Sequence, residues 1–179
     1  MSDRSDNAAT LTTSSHLYRG VSHEMFTLSG RALVPKACGI FEAPLIWGRF
    51  HWGDGQWGIT ESNAVLRHQW QQLGLPTSGI STTPVLERAK YYALGGGRFA
   101  CGYVFVIDRR LLHGQGVREY IVADFVRNPA APDDREVILV ACDGGALPDG
   151  IVVDIRPWPE ITGDPLSIAT PDTPPAQPS

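Results

Sequence analysis

The spacing of apolar residues predicts two helices ahead of the glycines at 95–97. From Glu61 to Leu73, apolar side chains recur every three to four residues, and Thr60 is in position to cap the first turn. A second helix is predicted to start at Thr83, because the following Pro84 suits the first helical position. Its buried face is predicted to consist of Leu86, Ala89 and Ala93.

Short β-branched and aromatic stretches predict six strands, and most of them follow the helices. They are His16–Val21, Gly79–Thr82, Tyr103–Asp108, Glu119–Val126, Val137–Val140 and Ile151–Arg156. Because helices and strands are segregated along the chain, we expect an α+β fold with mixed or antiparallel sheets rather than a regular βαβ series.

The 179 residues suit one domain with two polar ends. Residues 1–15 are polar and residues 159–179 carry repeated prolines, compositions that bury no core, so both ends are expected to be disordered. The folded unit is expected to cover 16–158. Within it, the segment Trp47–Trp57 places three tryptophans among glycines. It fits either a lid over a flat ligand ring or a cover for the core.

Composition argues against a nucleic acid as partner and against a site built from cysteines. The formal net charge of −4, with no Lys/Arg run longer than two, gives no broad cationic field and does not favour a nucleic acid as partner. Three widely spaced cysteines, Cys38, Cys101 and Cys142, predict neither a complete disulfide framework nor a metal site.

The sequence also bears on location. No stretch resembles a membrane span, and the first fifteen residues contain no apolar segment of the kind that a Sec signal requires. We therefore expect synthesis in the cytoplasm, and secretion or injection by a Sec-independent route stays open.

Three short motifs carry the candidate chemistry. Arg19, at the end of a predicted strand, offers a permanently charged fork of donors for phosphate, and Gly20 lets the backbone approach a ligand closely. Ser81 offers a small hydroxyl on a strand. Asp134 and Glu136 are two apart, so on an extended segment both face one ligand, and their repulsion raises the pKa of one of them.

These residue types fit cleavage of the bond between nicotinamide and ribose in NAD. The transition state is a ribosyl cation, which a carboxylate near the sugar stabilises, and Glu136 is the candidate for this role. Arg19 would hold the pyrophosphate, and Ser81 would hold the glutamate in its working rotamer.

Together, Leu17–Gly20, Gly79–Thr83 and Asp133–Val137 resemble the arginine–serine–glutamate class of mono-ADP-ribosyltransferases, which contains cholera toxin and the meningococcal arginine-modifying enzyme. Further stretches are similar to elements of that class: Leu33–Lys36, Asn63–Val65 with His68 and Gln69, Tyr103–Ile107, Asn128–Val137 and Gly144–Pro148. The resemblance covers Leu17 to Trp158, nearly the entire expected folded unit.

The resemblance implies a split β-sandwich with N-terminal helices that binds NAD, the ADP-ribose donor, in a crevice between sheets. The catalytic residues it implies are Arg19, Ser81, Asp134 and Glu136. The residues it implies at NAD are Arg19, Gly20, His68, Ser81 and Thr82.

Asp134 stands where arginine-specific members carry glutamate and some nucleic-acid-modifying relatives carry glutamine. An aspartate keeps the charge but is one methylene shorter, so arginine is the first expectation for the acceptor, on a target protein. The meningococcal relative is understood to bind iron through cysteines. Ser78 and Gly79 stand before the serine–threonine strand here, so no metal is carried over.

Three functions follow as hypotheses. The first is a mono-ADP-ribosyltransferase acting as a bacterial toxin or effector, for which a neutralising immunity protein is a plausible partner. The second is an NAD glycohydrolase that passes the sugar to water and depletes NAD. The third is a catalytically dead module that binds NAD or a partner, and it predicts that loss of Glu136 leaves function intact.

Overall fold

The computed structural model describes residues 14–45, 55–69 and 76–159. The predicted disordered ends lie almost entirely outside the described residues, and so does most of the Trp47–Trp57 segment. In chain order the helices and strands are β1 (His16–Ser22), α1 (His23–Leu28), β2 (Ala43–Pro44), β3 (Ile59–Thr60), α2 (Glu61–Gln69), β4 (Ile80–Thr82), α3 (Leu86–Ala93), β5 (Gly102–Asp108), β6 (Val117–Ile121), α4 (Val122–Phe125), β7 (Val137–Ala141) and β8 (Val152–Trp158).

Two antiparallel sheets, each of three strands, form the framework. The first has the strand order β1-β5-β8 and the second the order β4-β7-β6, while β2 and β3 form a separate pair. The two large sheets meet where the Tyr18 N–H donates to the Thr83 carbonyl at 2.8 Å and the Thr83 N–H donates to the Tyr18 carbonyl at 3.0 Å. All the strand pairs in the described residues are antiparallel, so the predicted α+β class is confirmed.

The main core lies between the two sheets. Leu17, Phe105 and Ile107 from the first sheet pack with Val137 and Leu139 from the second, and each is at most 1% exposed. Arg19 lies two residues after Leu17 on β1, so its side chain leaves the strand on the same side as the core, toward the other sheet.

Helix α3 packs on β1 through the face that its sequence predicts to be buried, but the helix starts later than predicted. Ala89 and Ala93 are fully buried, with Leu86 packed beside them. The predicted start at Thr83 is wrong, because Thr83 is paired with Tyr18 in an extended conformation. Its hydroxyl accepts a hydrogen bond from the Val85 N–H at 3.0 Å, and the helix begins at Leu86.

Helix α2 begins as predicted. The Asn63 N–H donates to the Thr60 hydroxyl at 3.1 Å, which confirms Thr60 as a capping residue. The described part of the helix ends at Gln69, and the predicted continuation to Leu73 lies outside the described residues.

Five of the six predicted strands are confirmed to within two residues, and one is wrong in extent. The predicted strand Glu119–Val126 ends at Ile121, because the chain then coils into α4 and buries Val122 and Val126 in a second apolar cluster. Helix α1, whose first turn is capped by the Ser22 hydroxyl, was not predicted. Helices nearer the N-terminus are not shown, since residues 1–13 lie outside the described ranges.

Candidate active site

One cleft of about 320 Å³ brings the sequence motifs together. It opens where β1 of the first sheet approaches β4 and the start of β7 in the second, with α2 and α3 at its sides. All the residues predicted for the site line it: Arg19, Gly20, His68, Ser81, Thr82, Asp134 and Glu136. Residues more than a hundred positions apart in the chain therefore face one space.

Glu136 lies immediately before β7 and is held on both carboxylate oxygens. The Gln69 amide donates to Oε2 at 2.5 Å, and His68 Nε2 lies 3.4 Å from Oε1. Only 17% of the side chain is exposed. The carboxylate is thus fixed in direction and largely screened from water.

Opposing influences set the pKa of Glu136. Burial is the largest and raises the pKa, because it disfavours the charged form. Hydrogen bonding and electrostatic attraction from His68 lower it, hydrogen bonds from Ser81 and Gln69 add to this, and the net pKa lies below its ordinary value. For Glu136 this is opposite to the rise that repulsion within the acidic pair would cause. The group is therefore an anion at neutral pH.

His68 connects the helix to the serine strand. Its Nδ1 lies 2.6 Å from the Thr77 hydroxyl and its Nε2 lies 2.8 Å from the Ser81 hydroxyl, and the residue is only 2% exposed. Because Nε2 also faces the Glu136 carboxylate, which can only accept, Nε2 carries a proton, and the Thr77 hydroxyl, which both donates and accepts, satisfies Nδ1. Gly79 makes room for this contact, since a Cβ there would lie 3.2 Å from His68 Nδ1 and 2.5 Å from Ile138 Cγ2.

Arg19 reaches across from β1 to the second sheet. Its Nη1 donates to the Ser81 carbonyl at 2.8 Å, and the residue also lines the cleft. Burial lowers the pKa of Arg19, while the charge of Glu136 opposes that shift. A guanidinium at the cleft suits an anionic ligand such as a phosphate.

Gly20 and Thr82 have structural reasons for their identity. A Cβ on Gly20 would lie 1.8 Å from the Ala89 carbonyl oxygen, so the close approach that needs glycine is to the backbone of α3. Helix packing is therefore a sufficient reason for glycine at this position, and its expected approach to a ligand stays a prediction. Thr82 donates its hydroxyl to the Val137 carbonyl at 2.7 Å, which ties β4 to β7.

Asp134 reaches the cleft by a different geometry from the predicted one. The segment is not extended, because Pro132–Asp134 forms a 3₁₀ turn and Arg135 follows with a left-handed φ of 47°. Asp134 still lines the cleft together with Glu136. Its Oδ1 accepts from Arg88 Nε at 2.6 Å and its Oδ2 accepts from the Tyr92 hydroxyl.

Several residues at the site were missed as functional candidates: Lys36, Gln69, Thr77, Arg88 and Tyr92. Gln69 also accepts a hydrogen bond from the Ala130 N–H at 3.1 Å, so one amide links Glu136 to the loop that carries Asp134. For Arg88 and Tyr92 the sequence contained one signal. They are four residues apart on α3, so their side chains share one face of the helix.

Other kinds of site find no support in the part of the chain that the structure describes. No three His, Cys, Asp or Glu side chains are grouped there as a metal would need, and Cys38, Cys101 and Cys142 are exposed free thiols. None of the described helices is long and apolar enough to cross a bilayer.

Comparison with known families matches residues 16–139 to NarE, the family of the Neisseria arginine-specific ADP-ribosyltransferase. A comparison with curated proteins gives no significant match. The matched region contains β1, β4 and the acidic motif before β7, which supply Arg19, Ser81 and Glu136 to the cleft. Because the match covers well over half of the 179 residues, the chain belongs to the NarE family and is an NAD-dependent ADP-ribosyltransferase.

Proposed function

We propose that this protein is a mono-ADP-ribosyltransferase that moves ADP-ribose from NAD to an arginine side chain of a target protein, as a bacterial toxin or effector. The observation that carries the site assignment is the convergence of Arg19, Ser81 and Glu136 on one cleft. Two three-stranded sheets joined at Tyr18 and Thr83 fit the split β-sandwich of this class. Residues 16–158 would form the catalytic domain.

Glu136 acts on the ribose. When the bond between C1′ and the nicotinamide nitrogen breaks, its electron pair leaves with the ring, which becomes neutral, and the sugar becomes an oxocarbenium cation. A fixed carboxylate stabilises that cation, and it also accepts a hydrogen bond from the ribose 2′-hydroxyl. The lowered pKa of Glu136 supports this role, because the group must be ionised before the charge develops.

Arg19 and the pair of Ser81 and His68 act as binding and positioning groups. Arg19 offers its guanidinium to the pyrophosphate of NAD. Ser81 and His68 hold Glu136 in place, since Ser81 Oγ lies 2.8 Å from His68 Nε2 and both contact the carboxylate. Displacements near 1 Å cost catalysis heavily, so a buried, hydrogen-bonded support favours rate.

Asp134 acts on the acceptor. A guanidinium nitrogen attacks C1′ and forms the new C–N bond, and the proton it loses passes to a carboxylate or to solvent. Asp134 lines the same cleft as Glu136, so it can orient the acceptor guanidinium through paired hydrogen bonds. Its charge favours arginine as the acceptor.

The first prediction tests the enzyme and the acceptor together. Purified protein is incubated with NAD labelled in the adenylate portion, with and without agmatine, and both nicotinamide release and label transfer are measured. We expect transfer to agmatine, and we expect Glu136→Gln to lower kcat/KM about a hundredfold or more through lost charge stabilisation. The matched control is Glu87→Gln on α3, whose side chain is 75% exposed.

The outcomes separate the alternatives. Nicotinamide release with no label on agmatine or on protein from a cell lysate would make the protein an NAD glycohydrolase. Equal activity of the Glu136→Gln variant and the parent would remove Glu136 from the mechanism. Absence of both release and transfer would leave the proposed activity without support.

A further inference from the structure

A carboxylate and two aromatic rings hold a guanidinium of the protein itself at the edge of the cleft. Asp134 Oδ1 accepts from Arg88 Nε at 2.6 Å, and Oδ2 accepts from the Tyr92 hydroxyl. The Arg88 Cζ lies 4.9 Å from the ring centroid of Tyr91 and 5.5 Å from that of Tyr92. This set of partners is the one that proteins use to recognise any guanidinium.

The same groups border the space where chemistry is proposed. Asp134 and Tyr92 line the cleft with Glu136, and Tyr92 is near enough to Arg19 to affect its pKa. The side chain of Asp134 is only 12% exposed, whereas that of Arg88 is 31% exposed. Arg88 is therefore the partner that is freer to leave, while the carboxylate stays in the wall of the cleft.

We propose that Arg88 is the internal occupant of the acceptor-guanidinium site, and that an acceptor arginine must displace it from Asp134 and Tyr92. This inference rests on the proposed function, which assigns the acceptor to Asp134. An acceptor binds only the fraction of molecules in which Asp134 is available, so its apparent affinity is the intrinsic affinity reduced by that fraction. Arg88 acts in this way as a selectivity filter that admits only guanidinium groups able to compete with it.

The internal contact is of modest strength, as a replaceable occupant requires. A partly exposed ion pair and an exposed cation–π contact each contribute little in water. Removing Arg88 should consequently lower the KM for a small guanidine by about five- to tenfold.

The test compares Arg88→Gln with the parent, using agmatine as acceptor at saturating NAD. We expect the KM for agmatine to fall about five- to tenfold in the variant. Arg88→Lys keeps a cation beside Asp134 without the planar fork, so its KM should lie between the two. The control is Arg98→Gln, an exposed arginine that donates to the Gly95 carbonyl outside the cleft and should leave KM unchanged.

A double variant tests whether the effect runs through Asp134. In an Asp134→Asn background, Arg88→Gln should no longer lower the KM, because the site for which Arg88 competes has lost its charge. A persistent decrease would mean that Arg88 acts elsewhere, and the proposal would be wrong.

Agmatine binding without NAD, measured by calorimetry, makes the inference independent of turnover. We expect a lower Kd in Arg88→Gln than in the parent, and an unchanged or higher Kd would overturn the proposal. If circular dichroism shows that Arg88→Gln does not fold, Arg88→Lys serves instead, with the same expected direction and the same contrary result. Absence of NAD cleavage by the parent would defeat the proposed function, while calorimetry would still decide the occupancy of the Asp134 site.

Discussion

Glu136 illustrates how the site depends on residues that surround the motifs. Burial raises its pKa, and the hydrogen bonds of His68, Ser81 and Gln69 reverse that effect. A lowered pKa means that the anion persists to more acidic pH in the folded protein. Its contribution to stability is complete above the ordinary pKa near 4.5 and is lost as the pH falls through the lowered value.

Replacing Gln69 by leucine tests this balance. Loss of the amide donor removes one of the hydrogen bonds that favour the anion, so the pKa of Glu136 rises. We expect the acid limb of the kcat/KM profile to move up by about one to two pH units, since a hydrogen bond to a charged group is worth roughly 1.5–3 kcal/mol. The measurement is nicotinamide release as a function of pH.

Gln115→Leu is the matched control, because Gln115 is exposed at a turn away from the cleft. A parallel decrease of activity at every pH in Gln69→Leu, with the acid limb in place, would contradict a role in setting the charge of Glu136. Such a result would leave Gln69 as a support for the loop at Ala130 alone.

The sequence predicted functional residues only where they lie in a recognisable motif. Arg19, Ser81 and Glu136 lie beside strands and carry side chains whose chemistry suits one substrate, and all three line the cleft. Arg88 and Tyr92 lie on a helix whose pattern indicates packing, and nothing local shows that they meet Asp134 across 46 and 42 positions. Contacts of that separation depend on the topology of the whole fold.

Helix α3 and strand β1 show how one element constrains another. The backbone of β1 comes so close to α3 that a Cβ on Gly20 would lie 1.8 Å from the Ala89 carbonyl oxygen. The helix and strand cannot both stay in place if that position carries a side chain. Because Arg19 directly precedes Gly20, this packing also fixes the backbone position from which the Arg19 side chain extends.

Gly20→Ala should therefore destabilise the protein by about 3 kcal/mol, at the upper end of the cost of overpacking. Gly114→Ala is the control, since a Cβ on Gly114 meets nothing within 4 Å and its φ is not in the left-handed region. The measurement is the free energy of unfolding in urea for both variants. A cost below about 0.5 kcal/mol for Gly20→Ala, with NAD binding impaired, would favour a direct role of Gly20 at the ligand instead.

For helices and strands, the sequence predicted the type of element better than the residue at which the element ends. The β-branched and aromatic stretches that predict Tyr103–Asp108 and Val137–Val140 are almost fully buried, and the structure forms β5 and β7 there. The same apolar character continues past Ile121, where it serves a short helix in the second cluster. A run of apolar residues reports burial, and tertiary packing decides whether the backbone is extended or coiled.

At the scale of the molecule, the cleft takes its walls from both sheets. Arg19 belongs to the first sheet, whereas Ser81 belongs to the second and Glu136 lies directly before its strand β7. A dinucleotide held by both would add contacts across the junction that the unfolded chain cannot make. Binding to the folded state alone stabilises it by mass action.

A non-cleavable NAD analogue should thus raise the Tm, and Arg19→Lys should lose most of the increase. At a hundred times the Kd, the added stability is about 2.7 kcal/mol, which is several degrees for a domain of this size. Lysine keeps the charge but lacks the fork that matches phosphate. Each variant is compared with its own unliganded Tm by scanning calorimetry, and equal shifts in the two proteins would remove Arg19 from the phosphate site.

At the junction between the sheets, two hydrogen bonds join main-chain atoms of Tyr18 and Thr83. Neither hydrogen bond involves a side-chain atom, so most substitutions at these two positions keep the donors and acceptors of both bonds. Proline is the exception, since it carries no N–H to donate. The side chains at these two positions can therefore change the lining of the cleft over evolution while the main-chain pairing of the two sheets is retained.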